Sequence, residues 1–107
     1  MVMRVSIIGA SGYAGAELLR LLSGHPKAEI VHITSESYTD RRISEVYPHL
    51  TRLCDHTLES LENLAGIGAD SDFIFIGLPA GYAMEIGRKL SHQPVRIIDL
   101  GADYRFR

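Results

Sequence analysis

Two hydrophobic rhythms alternate along this chain. Met3-Arg4-Val5-Ser6-Ile7-Ile8 is a short β-branched run, and Gly9-Ala10-Ser11-Gly12-Tyr13-Ala14-Gly15 follows at once. That sequence reads as a strand stopping in a tight turn. Behind the turn, Ala14, Leu18, Leu21 and Leu22 recur at i, i+4, i+7 and i+8, which predicts one apolar helix face. Gly24 is placed to cap this helix, and Pro26 to prevent its continuation. Glu29-Ile30-Val31-His32-Ile33-Thr34 then predicts a second strand. The first third is therefore β-α-β, with the glycines at the first turn.

The stretch from Ser35 to Thr57 is polar and irregular, with one short helical turn expected around Ile43–Val46. A helix is predicted from about Leu58 to Leu64, ending near Gly66 and Gly68. Asp72-Phe73-Ile74-Phe75-Ile76-Gly77 is apolar on both faces and predicts a fully buried strand, broken by Leu78-Pro79-Ala80-Gly81. Tyr82 to Leu90 reads as a helix with Ala83, Ile86, Gly87 and Leu90 on one side, and Val95 to Leu100 as the next strand. Strands alternating with helices predict an α/β, Rossmann-like doubly wound fold: a mainly parallel sheet, helices on both faces and right-handed crossovers. The chain stops just after a strand, where a doubly wound domain would continue. Residues 1–107 thus read as one domain at the front of a longer protein.

Composition narrows the classes. The 107 residues are 46% hydrophobic and 22% charged, enough for one domain with a modest core and unlike a disordered chain. A formal net charge of −2 speaks against a nucleic-acid binder. The apolar runs are too short to span a bilayer, and Gly9 interrupts the N-terminal one too early for a signal peptide. The single cysteine, Cys54, has no partner for an internal disulfide, so a cytoplasmic location is expected.

The candidate chemistry lies at the turns. Gly9-x-x-Gly12-x-x-Gly15 stands between a strand and a helix. Gly9 permits the sharp exit from the strand, Gly12 lets a pyrophosphate approach the backbone, and Gly15 lets the helix pack close to the sheet. The free N–H groups of the helix N-terminus, in the run Tyr13-Ala14, and the Ser11 hydroxyl can then face the phosphates. A glycine-rich turn without a ligand is the plainer reading, and the flanking strand and helix weigh against it. The end of the second strand is where such domains read the adenine ribose. There Glu36 points to NAD, whereas Ser35, Ser37 and the pair Arg41-Arg42 point to the 2′-phosphate of NADP. The balance favours NADP, with Glu36 turned away. In a complete sheet ordered 3-2-1-4-5, the loop Gly77-Leu78-Pro79-Ala80-Gly81 faces the glycine turn and lines the nicotinamide ribose. Asp99 and Asp103 lie at the carboxyl end of the last strand, where they suit either a ligand or the cap of a following element. Cys54, His56 and His49 match no standard zinc spacing, and Cys54 has no helix start or glycine turn to activate it. No metal site and no catalytic residue is assigned. His25 and His92 are expected on the surface.

Gly9-Ala10-Ser11-Gly12-Tyr13-Ala14-Gly15-Ala16-Glu17-Leu18-Leu19-Arg20 closely resembles the opening of the N-acetyl-gamma-glutamyl-phosphate reductases. So do Thr34-Ser35, Arg42-Ile43-Ser44-Glu45-Val46-Tyr47-Pro48-His49-Leu50, Leu78-Pro79-Ala80-Gly81 and Ile98-Asp99-Leu100-Gly101-Ala102-Asp103-Tyr104-Arg105. The match runs along nearly the whole chain, and the stretch from Ile43 to Leu50 is the most telling because cofactor binding does not require it. The resemblance implies an NADP-binding domain of an enzyme of arginine biosynthesis, which reduces an acyl phosphate to a semialdehyde and releases phosphate. It implies a small-molecule substrate bound through a second domain, no nucleic-acid or membrane partner, and a homo-oligomer for the full-length enzyme. In that family a cysteine in a Pro-Gly-Cys-Tyr type motif forms a thioester, and a histidine handles protons. This sequence lacks the motif, and Cys54 does not match it. Two positions depart from the family, which often has histidine where Ala80 stands and serine where Gly101 stands. Two other readings stay open: the cofactor domain of a reductase for aspartyl or aminoadipyl phosphate, and a non-catalytic nucleotide-binding module.

Overall fold

The first strand is buried on both faces over its last four residues, and a layer packs on each side of it. A computed structural model describes residues 2–9, 13–35, 40–46, 56–78 and 80–99. Strand β1 (Met3–Ile8) has Ile7 and Ile8 completely buried, although successive side chains of a strand point to opposite faces. Ile7 packs with Leu19 of helix α1 (Tyr13–Ser23) and with Ile30 and Ile33 of strand β2 (Ala28–Thr34). On the other face, Ile8 packs with Ile67, Ala83, Ile86 and Leu90, from the helical elements that follow. Helices therefore cover both faces of the sheet, as expected.

After β2 the chain forms a short helix α2 (Ile43–Val46), where the sequence predicts a helical turn. A 3-10 turn (Leu61–Asn63) then leads into helix α3 (Leu64–Asp70). Strand β3 (Phe73–Ile76), helix α4 (Ala80–Lys89) and strand β4 (Arg96–Asp99) complete the described elements. All strand pairs are parallel, in the order β2-β1-β3-β4. The place beside β2 that a third strand takes in the 3-2-1-4-5 order is held by a single parallel bridge, Thr34 to Glu59.

The expectations for α1, α3 and β3 are corrected, and β2 holds an irregularity that the sequence pattern does not predict. The apolar face of α1 is turned: Gly15 and Leu19 are buried and Leu18 and Leu22 flank them, whereas Leu21 is 57% exposed. Positions 15, 18, 19 and 22 fit the helical period as well as the expected set, and only the packing against Ile7, Ile30 and Ile33 selects them. The helix expected at Leu58–Leu64 begins only after Leu58, which is itself a buried residue of an extended segment. Gly66 and Gly68 lie inside α3 instead of ending it. A Cβ on Gly68 would come within 2.8 Å of a Leu90 methyl and 2.6 Å of the Gln93 amide oxygen, so close packing on the α4 end explains this glycine. Strand β3 is not buried on both faces. Ile74 and Ile76 are fully buried, while Phe73 and Phe75 are half-buried and line an open apolar cleft of about 150 Å³ with Met3, Val5 and Ile98. Helix α1 packs mainly on β1 and β2, and reaches this cleft through Leu22. Finally, β2 shifts register against β1 between Val5 and Ser6. The shift puts Ile30 and Ile33 on one face and His32 on the other, a parity that simple alternation does not predict.

The rotation of α1 is directly measurable. Leu19→Ala should destabilise the protein by about 2–5 kcal/mol, because it empties a sealed site. Leu21→Ala should stay within about 0.5 kcal/mol, as surface changes do. Chemical denaturation of the two variants decides, and equal costs would contradict the packing described.

Candidate functional site

The carboxyl ends of three strands meet at one residue, Gly9. Its φ is +87°, in the left-handed region that glycine adopts freely and other residues rarely do. Its N–H donates to the Thr34 backbone oxygen at 3.2 Å and to Thr34 Oγ1 at 3.3 Å, which ties the glycine turn to the end of β2. On the other side, the Gly77 N–H donates to the Ile8 carbonyl at 2.8 Å. A Cβ on Gly9 would lie 2.9 Å from the Gly77 oxygen and 3.1 Å from a Leu78 methyl. The turn after β1 therefore fits between the ends of β2 and β3 only because residue 9 has no side chain.

Helices start on both sides of this point. Helix α1 begins at Tyr13 and α4 at Ala80, and neither has an acidic residue in its first turn. Two helix N-termini free of carboxylates, at the carboxyl edge of a parallel sheet, favour an anionic ligand. The residues present thus fit a dinucleotide phosphate: the close backbone approach needs no side chain at Gly9, and among the described residues neither helix carries an acid in its first turn.

The structure brings Gly9, Tyr13, Ala14, Ser35, Leu78 and Ala80 to this edge through β1, β2, β3 and the helices that follow β1 and β3. Ser35 is buried at the end of β2, and its N–H donates to the Glu59 carbonyl at 3.1 Å. Arg41 and Arg42 are exposed on a short antiparallel ladder, in which Arg42 bridges Thr57 and the Leu58 N–H donates to the Arg41 carbonyl at 2.7 Å. The sequence of the polar stretch does not predict that ladder. Asp40 opens it with φ +71°, which aspartate tolerates better than most side chains. Ser11, Gly12, Ser37 and Pro79 lie outside the described residues, as do Glu36, His49, Cys54, Gly101 and Asp103. His25 and His92 are exposed. Among the described residues, no group of three His, Cys, Asp or Glu side chains could hold a metal ion, and no helix is long and apolar enough to cross a membrane.

The sequence places Thr34 and Gly77 at this edge without their role in holding the turn, and gives His32 no role at all. Thr34 and Gly77 hold the glycine turn through their hydrogen bonds to Gly9 and Ile8. His32 Nδ1 lies 2.7 Å from Glu59 Oε2 and its Nε2 lies 2.9 Å from Asp70 Oδ2. Burial of the ring works against its charged form. The hydrogen bonds to Asp70 and Glu59 and their negative charges outweigh that, so the His32 pKa is raised above its ordinary value. Beside it, Ser71 Oγ donates to the Ile67 carbonyl at 2.6 Å, so the Ser6 hydroxyl is left to donate to Ser71 Oγ, also at 2.6 Å.

Comparison with known proteins agrees with this geometry. The chain is 47% identical over 106 residues to an N-acetyl-gamma-glutamyl-phosphate reductase of Desulforamulus reducens, covering 99% of this chain and 30% of that protein. It is 48% identical over 107 residues to the enzyme of that name from Pelotomaculum thermopropionicum, covering 100% of this chain and 30% of that protein. The chain thus spans about a third of the length of the curated relatives it matches. Its fold superposes on aspartate semialdehyde dehydrogenase with NADP from Candida albicans with a TM-score of 0.78, at 22% identity over 98% of this chain and 31% of that one. The corresponding enzyme II of Vibrio cholerae, complexed with ASA, gives 0.76 at 14% identity, over 99% of this chain and 33% of that one. The sequence pattern of the family described as semialdehyde dehydrogenase, NAD binding domain, matches residues 4–107, and the chain belongs to that family.

Proposed function

We propose that this chain is the NADP(H)-binding domain of a reductase that converts N-acetylglutamyl 5-phosphate to N-acetylglutamate 5-semialdehyde in arginine biosynthesis. The observation that carries the reading is the convergence of the ends of β1, β2 and β3 on Gly9, with a left-handed backbone and no room for a side chain. The identity of 47–48% to reductases of that name supports the substrate. Bound there, the nicotinamide cofactor supplies the reducing hydride. Gly9, Ser11, Gly12 and the α1 N-terminus at Tyr13-Ala14 would hold its pyrophosphate. Ser35, Ser37, Arg41 and Arg42 would take the adenine-ribose end, and Leu78, Pro79 and Ala80 the nicotinamide ribose. The substrate would bind through a second domain, and the reading includes a cytoplasmic, homo-oligomeric full-length enzyme.

NADP(H) should bind more tightly than NAD(H). An arginine on the 2′-phosphate adds about 1.5–3 kcal/mol, roughly tenfold or more in affinity. Calorimetric titration with NADPH and NADH tests this, together with the double variant Arg41→Ala/Arg42→Ala. The variant should lose NADPH affinity by about tenfold or more and NADH affinity little. Equal affinities in the unmodified protein, or a preference for NADH, would assign the ribose to Glu36 and overturn the NADP reading.

A further inference from the structure

The hydrogen bonds around His32 tie three elements together on one side of the sheet. Its Nδ1 reaches Glu59, in the segment that bridges the outer edge of β2, and its Nε2 reaches Asp70, the last residue of α3. Carboxylates only accept hydrogen bonds, so both ring nitrogens must carry protons for both bonds to exist, and the ring is then an imidazolium. Asp70 sits at the C-terminal, negative end of α3, a poor place for an acid unless a cation faces it.

Glu59 is also the residue through which the outer edge of β2 is continued. Its N–H donates to the Ile33 carbonyl at 2.8 Å, and its own carbonyl accepts the Ser35 N–H at 3.1 Å. The next residue back, Leu58, exchanges two backbone bonds of 2.7 Å with Asp40 and Arg41. The ladder carrying Arg41 and Arg42 therefore hangs on the segment whose side chain His32 holds.

We propose that His32 is a positioning residue for cofactor choice: bridging Glu59 and Asp70, it holds the 56–59 segment against β2 and thereby sets the Arg41-Arg42 ladder for a ribose 2′-phosphate. The proposal rests on the NADP reading above. The charged groups acting on His32 among the described residues are Glu59 and Asp70. Ser6, its register partner on β1, and Ser71 are neutral. Because the folded pKa is raised, the contribution of the bridge is complete below the ordinary histidine value of about 6.5 and is lost as pH rises through the folded value. Arginine stays charged throughout, and the 2′-phosphate, with a second pKa of about 6, only gains charge as pH rises, which raises the ratio of NADH to NADPH dissociation constants and cannot produce a fall.

The test follows the ratio of NADH to NADPH dissociation constants from pH 6.5 to 9, beside an NMR titration of the His32 ring. The ratio should fall roughly threefold to tenfold, the size of a coupling carried through neighbouring contacts, with its midpoint at the His32 pKa. In His32→Gln or Glu59→Gln the ratio should be low and should not fall as pH rises. A clasp that only stabilises the fold would weaken both cofactors equally and leave the ratio unchanged. A ratio that does not fall with pH in the unmodified protein, while Arg41→Ala/Arg42→Ala abolishes the preference, overturns the proposal and leaves the NADP reading standing. A ratio near one in the unmodified protein at every pH overturns the NADP reading and the proposal with it. The pH titration needs no variant, so it decides the question even if His32→Gln misfolds.

Discussion

Gly9→Ala is expected to destabilise the protein by about 2–5 kcal/mol, the sum of two costs at one position. An L-residue in the left-handed region loses about 1–2 kcal/mol, and Gly9 has φ +87°. Forcing a methyl into filled space costs about 1–3 kcal/mol more. The atom it meets, 2.9 Å away, is the Gly77 carbonyl oxygen, which cannot rotate aside as a side chain could. Gly77 is itself held by its bond to the Ile8 carbonyl, so the start of the β3–α4 loop must move as a unit. That displacement opens the carboxyl edge where the cofactor is proposed to lie, and NADPH affinity should fall roughly tenfold or more, the equivalent of one lost hydrogen bond to a charged group. Denaturant titration and calorimetry on the variant measure the two effects. Adding Leu78→Ala removes the contact at 3.1 Å but not the carbonyl, so it should restore little. Full stability and affinity in Gly9→Ala would show that the three strand ends do not depend on this residue.

No turnover of an acyl phosphate is expected from this chain by itself, even when saturated with NADPH. The resemblance to the reductases implies a thiolate that displaces phosphate before reduction, and splitting the reaction in this way needs a cysteine beside the substrate. The sequence holds one cysteine, Cys54, in Thr51-Arg52-Leu53-Cys54-Asp55-His56, which does not match the Pro-Gly-Cys-Tyr type motif. Effective attack needs the reacting atoms held about 3–3.5 Å apart, and that geometry belongs to the substrate domain in this reading. The assay is the reverse reaction, with N-acetylglutamate semialdehyde, phosphate and NADP, followed by NADPH absorbance. The expected result is no rate above the protein-free control. A rate that disappears in Cys54→Ser would overturn the prediction and give Cys54 a catalytic role.

Much of this protein was legible in its sequence because the informative signals are local. A β-branched run followed at once by glycines reads as a strand leaving through a tight turn, and β1 and the Gly9 turn stand where Met3–Gly9 predicts them. The period of Ala83, Ile86 and Leu90 predicts the buried face of α4, since three residues at helical spacing need only one neighbour to cover them. The parallel order followed from alternation, because each crossover needs a helix. The resemblance to the reductases was legible for the same reason: its motifs are short runs at the turns.

Tertiary structure decided what depends on residues far apart in sequence. The sequence pattern puts Leu21 on the buried side of α1, but Leu18, Leu19, Leu21 and Leu22 offer two overlapping apolar stripes, and Ile7, Ile30 and Ile33 select the one through Leu19. The glycines of α3 read as a stop signal until Leu90 and Gln93, more than twenty residues later, are seen pressed against Gly68. The register shift of β2 has no local cause in Ile30-Val31-His32, yet it turns His32 toward Asp70, 38 residues away. Composition and spacing determine which elements form and where the backbone can turn. Pairing of strand ends, the exact face a helix buries and the charge a histidine carries are set by neighbours that only the folded chain brings within a few ångströms.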